Sequence, residues 1–178
     1  MHNDVERILY SEEQIDAAVR AMAEKISADY RGTKPIVLGI LNGGAVITCD
    51  LVRRMEPDTE IYFIKASSYG DGTVSSGNIK ISGSLPDVAG RSVILCDDIV
   101  DTGRTLNALR EYVLDKGAKD CTVAVAFDKI ERREIDLVPN YAAMTVPNEF
   151  IVGYGLDYAQ KYRDLPYVGV LKKEIYQD

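Results

Sequence analysis

Apolar positions along the chain keep two rhythms, and their alternation predicts a sheet wrapped by helices. Ser11-Glu12-Glu13-Gln14 has the form of a capping box, and Ile15, Ala18, Val19, Met22, Ala23 and Ile26 follow at helical spacing, which predicts a first amphipathic helix. After the break at Gly32-Thr33-Lys34-Pro35, residues 36–41 form a short continuous apolar run of the kind seen in a strand covered on both faces. A helical segment over about residues 45–55 and a second strand over 60–66 complete a strand, helix, strand unit. A third buried strand, 92–96, runs into an acidic segment. Helical spacing returns from Arg104 through Leu106, Leu109 and Val113 and stops at Lys116-Gly117. A fourth strand, 121–127, ends at Asp128-Lys129. From Glu131 onward the chain is rich in tyrosine and proline, with short apolar pieces at 150–152 and 167–171. The pattern carries no internal repeat and no linker, and it predicts one α/β domain with a small appended region.

The polar segment from about 67 to 78, including Ser68 and Tyr69, has no apolar periodicity, and its length and glycines predict a flexible loop that closes over a site.

Composition narrows the classes. The 178 residues are 46% apolar and 28% charged, ordinary globular usage, and 21 lysines and arginines face 28 acidic residues for a net charge of -7. That balance leaves no surplus of basic surface for a nucleic-acid polyanion. No stretch approaches ~18 consecutive apolar residues and the N-terminus lacks a signal-peptide pattern, so a membrane is not expected and a cytoplasmic location is. Cys49, Cys96 and Cys121 sit in apolar runs and read as reduced, packed thiols. The only histidine is His2, which removes Ser-His-Asp and Cys-His chemistry and leaves acid-base work to carboxylates, lysine or tyrosine.

Three turns fall at the C-terminal ends of the predicted parallel strands, where open α/β sheets bind ligands: Asn42-Gly43-Gly44, the segment from Asp97 to Thr105, and Asp128-Lys129. Thr102-Gly103-Arg104-Thr105 offers amides and hydroxyls where a helix begins, a cradle for phosphate. Asp97, Asp98 and Asp101 stand immediately before it, which suits a ligand that also presents hydroxyls, a cationic transition state or Mg²⁺. The ending Gly-Lys-Ser/Thr of a P-loop is missing, and Gly153-Tyr154-Gly155 lacks the third glycine of a dinucleotide fingerprint.

The run from Val93 to Leu106, with two acidic residues after a hydrophobic strand and before Asp101-Thr102-Gly103-Arg104-Thr105, resembles the phosphoribosyl-diphosphate motif of type I phosphoribosyltransferases. Leu41-Asn42-Gly43-Gly44, Ser68-Tyr69, Asp128-Lys129, the segment from Pro147 to Tyr158, and Lys161 to Pro166 are similar to the hypoxanthine-guanine branch, in that family's order. The resemblance spans essentially the whole chain. It implies a twisted parallel sheet flanked by helices, with a hood built from both terminal segments. It implies transfer of phosphoribose from phosphoribosyl diphosphate to N9 of hypoxanthine or guanine, with Mg²⁺ as cofactor and a homodimer or homotetramer as the assembly.

The same resemblance implies roles by position. Asp97 and Asp98 hold the ribose hydroxyls, Thr102, Gly103, Arg104 and Thr105 hold the 5-phosphate, and Asp101 faces N7 of the purine as the catalytic group. Asn42, Gly43, Gly44 and Arg163 bind pyrophosphate, and the family can have a cis peptide at the bond equivalent to Leu41–Asn42. Lys129 donates to the purine 6-oxo group, Phe150 stacks on the base, the Ile151 carbonyl lies near its 2-position, and Asp157 is a Mg²⁺ ligand, with Asp97 and Asp98 as further metal candidates. Ser68 and Tyr69 belong to the closing loop. Two positions depart from many relatives: Asn42 stands where a lysine is common, and Asp97 where a glutamate is. A non-catalytic sensor on the same scaffold, and a preference for xanthine, both stay open on sequence alone.

Overall fold

The computed structural model describes residues 1–68 and 79–177. Strand β1, Val5–Tyr10, leads into helix α1, Glu12–Asp29, whose start is the predicted capping box: the Ser11 amide donates to the Gln14 side chain at 2.9 Å and the Gln14 amide to Ser11 Oγ at 3.4 Å. Then come β2 (Ile36–Leu41), α2 (Gly44–Val52), β3 (Glu60–Ser68), β4 (Ile79–Ser82), β5 (Ser92–Val100), α3 (Arg104–Asp115) and β6 (Asp120–Asp128). A 3₁₀ turn at Ile130–Arg132, β7 (Tyr141–Thr145), β8 (Ile151–Val152), β9 (Val168–Leu171) and α4 (Lys173–Tyr176) complete the order.

The main sheet has six strands in the order β4-β3-β2-β5-β6-β7. Every pairing in it is parallel except β3 with the edge strand β4, so the expected parallel sheet is present and carries one antiparallel edge that the sequence pattern does not announce. Side chains alternate between two cores. Val37, Ile94, Cys96 and Ala124 face α1 and α2 through Ile15, Met22, Ile47 and Leu51, while Leu38, Val93, Leu95 and Val125 face α3 through Leu106, Leu109 and Val113. Burial on both faces is why these strands read as unbroken apolar runs. Chain order reverses between β2 and β5, the two adjacent strands followed by α2 and α3 on opposite faces, and the crevice that results lies above their C-terminal ends.

A second, antiparallel sheet, β1-β9-β8, joins the two ends of the chain beside that crevice. β1 carries the burial pattern of an edge with only Val5 fully buried, which is why no run of apolar residues announces it. Several boundaries also move. α2 ends at Val52 rather than Met55, β3 continues through Ser67 and Ser68 by pairing with β4, and β5 continues through Asp97 and Asp98 by pairing with β6 as far as Val100 opposite Asp128. Tyr69 and the rest of the predicted closing loop lie outside the described residues. Cys96 and Cys121 are buried, with burial pushing each thiol up to about 12, but Cys49 is exposed on the outward side of α2, contrary to the packed thiol expected. No helix among the described residues is long and apolar enough to cross a membrane.

Candidate active site

Two adjoining cavities occupy the crevice. The smaller, about 250 Å³, is lined by Asn42 and Gly43 from the end of β2, by Asp97 and Asp98 of β5, by Asp101, Thr102, Gly103 and Thr105, and by Arg163. The larger, about 810 Å³, is lined by Lys129, Phe150, Ile151, Leu156 and Asp157, with Tyr176 of α4 and Arg7 of β1 at its margin. Asp98, Ile99 and Asp101 line both. The strand-end residues singled out from the sequence therefore meet across one wall of carboxylates.

Close backbone approach builds the first cavity. Gly43 lies against Asp98 so tightly that a Cβ there would stand 1.6 Å from Asp98 Oδ2, so a larger residue fits only if that carboxylate moves. The Leu41–Asn42 peptide is cis. Gly44 is buried beneath the cavity at the start of α2 instead of lining it. At the next strand end, Gly103 takes a left-handed φ of 84° as the N-cap of α3, and the Arg104 amide points to Thr102 Oγ1 at 3.4 Å. The first turn of a twelve-residue helix thus opens on the cavity with its amides. The Arg104 side chain turns outward to Glu134 at 2.7 Å and is not part of the lining.

Asp97 and Asp98 anchor their carboxylates on backbone amides, Asp98 N to Asp97 Oδ1 at 2.9 Å and Ile99 N to Asp98 Oδ1 at 2.8 Å. Burial nevertheless holds both carboxyls above the ordinary range, and for Asp97 the charge of Asp98 adds to it. Such a pair is better satisfied beside hydroxyl donors or a cation than alone. Asp101 is held differently: Arg132 Nε lies 3.3 Å from its Oδ1, an ion pair without hydrogen-bond geometry, and that oxygen has no hydrogen-bond partner among the described residues.

In the second cavity Lys129 is buried, and its ammonium donates to the Glu149 carbonyl at 3.1 Å. Burial lowers its pKa, opposed by the charge of Asp101 and reinforced by that of Arg132. Phe150 is 37% exposed and offers ring surface, flanked by Tyr158 edge-on at 5.5 Å and by Tyr176. The Ile151 side chain is buried in β8. Asp157 pairs with Arg163 at 2.7 Å and accepts from the Gln160 amide at 2.9 Å, while a second nitrogen of the Arg163 guanidinium donates to the Gly155 carbonyl at 2.7 Å. No cluster of three metal-ligating side chains stands ready among the described residues, so Asp97, Asp98 and Asp157 do not by themselves form a metal cage. Ser68 ends β3 beside the undescribed segment.

Sequence reasoning missed Arg132, Arg133, Arg7 and Tyr176. The arginines sit in segments without helical or strand rhythm, where a charge reads as a solvated face, and Tyr176 is one of 11 tyrosines.

A doubly covered sheet with this crevice and these strand-end turns defines a class: the chain belongs to the phosphoribosyltransferase family, its residues 7–159 matching the phosphoribosyl transferase domain. Its relatives narrow the branch. The hypoxanthine-guanine phosphoribosyltransferase of Streptococcus agalactiae is 45% identical over 177 residues, covering 99% of this chain and 98% of that protein. A hypoxanthine phosphoribosyltransferase crystal structure from Staphylococcus aureus superposes with a TM-score of 0.95 at 36% identity, covering 100% of this chain and 97% of that one. The chain also matches the bifunctional protein TilS/HprT of Listeria innocua at 42% identity over 179 residues, of whose length it spans 28%.

Proposed function

We propose that this chain is a purine salvage enzyme that transfers phosphoribose from phosphoribosyl diphosphate to N9 of hypoxanthine or guanine, giving IMP or GMP and pyrophosphate. The observation that carries the reading is the shared wall of the two cavities. Asp98 and Asp101 border both the anion-cradling turn and the pocket of Lys129 and Phe150, so a sugar held between them would present its C1 to a base stacked on the other side.

Thr102, Gly103, Thr105 and the first amides of α3 hold the 5-phosphate. Asp97 and Asp98 accept from the ribose hydroxyls, and their charge favours the oxocarbenium-like sugar that forms as the C1–O bond breaks. Asn42, Gly43 and Arg163 hold the pyrophosphate. Asp101 faces N7 of the purine and exchanges a proton or hydrogen bond there. Lys129 donates to the 6-oxo group, which disfavours adenine because its 6-amino group offers no matching acceptor. The Ile151 carbonyl borders the 2-position, and Asp157 lines the same pocket.

Mg²⁺ belongs to the same reading. The residues fit a hard cation that arrives on substrate phosphates: Asp157 supplies a carboxylate at the cleft, and the raised Asp97 and Asp98 carboxyls favour a positive charge nearby. When bound, it supplies positive charge to the departing pyrophosphate. We further propose that residues 1–178 act as one domain, that the location is cytoplasmic, supported by three free cysteines, and that a second copy of the chain covers exposed Leu41, Ile61 and Phe63.

The test is a steady-state assay with Mg²⁺ and phosphoribosyl diphosphate, offering hypoxanthine, guanine, xanthine and adenine separately. Conversion of hypoxanthine or guanine with none of adenine supports the proposal, and binding of the donor without turnover of any base overturns it in favour of a sensor.

A further inference from the structure

The segment that follows Lys129 grips the phosphate-cradling turn residue by residue. Arg132 Nε stands 3.3 Å from the Asp101 carboxylate, the Glu134 amide donates to the Thr102 carbonyl at 3.1 Å, and the Glu134 carboxylate pairs with Arg104 at 2.7 Å. Beneath the turn, a Cβ on Gly103 would meet Arg133 Cδ at 3.0 Å and Ile135 Cγ1 at 3.1 Å. Most of these contacts are half exposed. Arg133 is the exception, with its side chain 14% exposed and its partner Asp128 12% exposed.

The Arg133 guanidinium spends its three nitrogens in three directions. Nε donates to the Asp101 carbonyl at 3.2 Å, Nη1 to the Leu137 carbonyl, and Nη2 to the Asp128 carboxylate. Asp101 begins the phosphate turn, and Asp128 is the residue before Lys129 at the end of β6. A planar fork with fixed donor directions is suited to holding such a pair of elements at one separation, as a flexible point charge is not.

We propose that Arg133 is a positioning residue for the reaction, fixing the Asp101–Gly103 turn against Lys129 so that the donor and base sites hold one mutual geometry. The inference rests on the proposed function and touches neither substrate directly. The experiment measures KM for phosphoribosyl diphosphate, KM for hypoxanthine, kcat and thermal midpoint for the full chain and for Arg133→Met, Arg133→Lys and Asp128→Asn.

Folded Arg133→Met is expected to raise both KM values about tenfold or more, because ångström-scale misplacement of binding groups has effects of that size or larger. Arg133→Lys restores a charge opposite Asp128, so KM for hypoxanthine recovers to within about threefold while KM for the donor stays raised, a single ammonium being unable to serve the Asp101 carbonyl as well. Should Arg133→Met fail to fold, Asp128→Asn carries the test: it keeps the carbonyl contacts, and only KM for hypoxanthine rises. Unchanged KM values in a folded variant, with only a lower thermal midpoint or active fraction, overturn the inference and leave the proposed function standing. A wild-type chain that converts no base overturns the underlying reading and this one with it.

Discussion

The rings of Phe150 and Tyr176 are stacked, their centroids 4.6 Å apart and their planes 23° from parallel. One face of the ring assigned to the base is thereby backed by Tyr176 of α4, and the Tyr158 ring stands nearly perpendicular to it with centroids 5.5 Å apart. Aromatic pairs of this kind are worth ~0.5–1.5 kcal/mol beyond the area they bury, so Tyr176→Ala is expected to raise KM for hypoxanthine about two- to tenfold by the same conversion. KM for phosphoribosyl diphosphate is expected to stay constant, and Tyr176→Phe, which keeps the stack, to match wild type. Steady-state kinetics on the two variants decide it; a donor KM that moves with the base KM would refute the assignment.

Asp101→Asn keeps the shape of the side chain and removes its ability to take a proton. The expected result is a fall in kcat of about 10²–10⁴-fold, the range of a lost acid-base group, with KM for the donor little changed because the turn is held from its backbone by Arg133 and Glu134. Pre-steady-state nucleotide formation measures it directly, and full turnover in the variant would remove Asp101 from the chemistry.

What the sequence makes legible follows from how each part is stabilised. Ile36–Leu41 and Ser92–Cys96 announce themselves because parallel strands covered on both faces must be apolar throughout. The turns at Asn42, Asp101 and Lys129 can be located because they end those runs. β1 and β8, by contrast, are short strands of a three-stranded antiparallel sheet whose partners lie elsewhere in the chain, Val5 opposite Leu171 and Ile151 opposite Val170, so β1 goes unmarked and β8 shows only as a short apolar piece without its pairing. The continuation of β5 through Asp97 and Asp98 is likewise invisible. Acidic residues are poor strand formers, and only the ladder with β6 keeps them extended. Arg133 is the clearest omission, because its partners are two carbonyls and a carboxylate that only the folded crevice brings together.

Lys129 has a lowered pKa, with burial as the main cause. Its ammonium therefore loses its proton at lower pH than an ordinary lysine, near ~10.4. The charged donor to the 6-oxo group weakens with it, so kcat/KM for hypoxanthine is expected to fall on the alkaline side before that point, while KM for phosphoribosyl diphosphate stays flat. Lys129→Arg, which remains charged, should lose a smaller fraction of its kcat/KM than wild type over the same alkaline range, where ionisation of the purine itself affects both. The stability effect has the opposite sign. The folded state disfavours the charged lysine, so wild-type stability rises as pH climbs from the lowered value toward the ordinary one. Lys129→Met is accordingly expected to be more stable than wild type at neutral pH, with the gain fading through that alkaline window. Thermal unfolding across the pH series measures it.

Gly43 and Asp98 make the sharpest steric demand in the site. A methyl group at residue 43 would stand 1.6 Å from Asp98 Oδ2 and 2.5 Å from its Cγ, so either the carboxylate or the turn must move. Overpacking of this sort costs ~1–3 kcal/mol, and here the group displaced is the one assigned to the ribose. Gly43→Ala is expected to lower the thermal midpoint and to raise KM for phosphoribosyl diphosphate while leaving KM for hypoxanthine nearly constant. A double-mutant cycle isolates the cause: in an Asp98→Ala background the colliding atoms are gone, so adding Gly43→Ala should cost much less stability than it does in wild type. Equal costs in the two backgrounds would refute the approach of Asp98 as the reason for glycine, because Gly43 has ordinary right-handed dihedrals, φ -62° and ψ -44°, that any residue adopts.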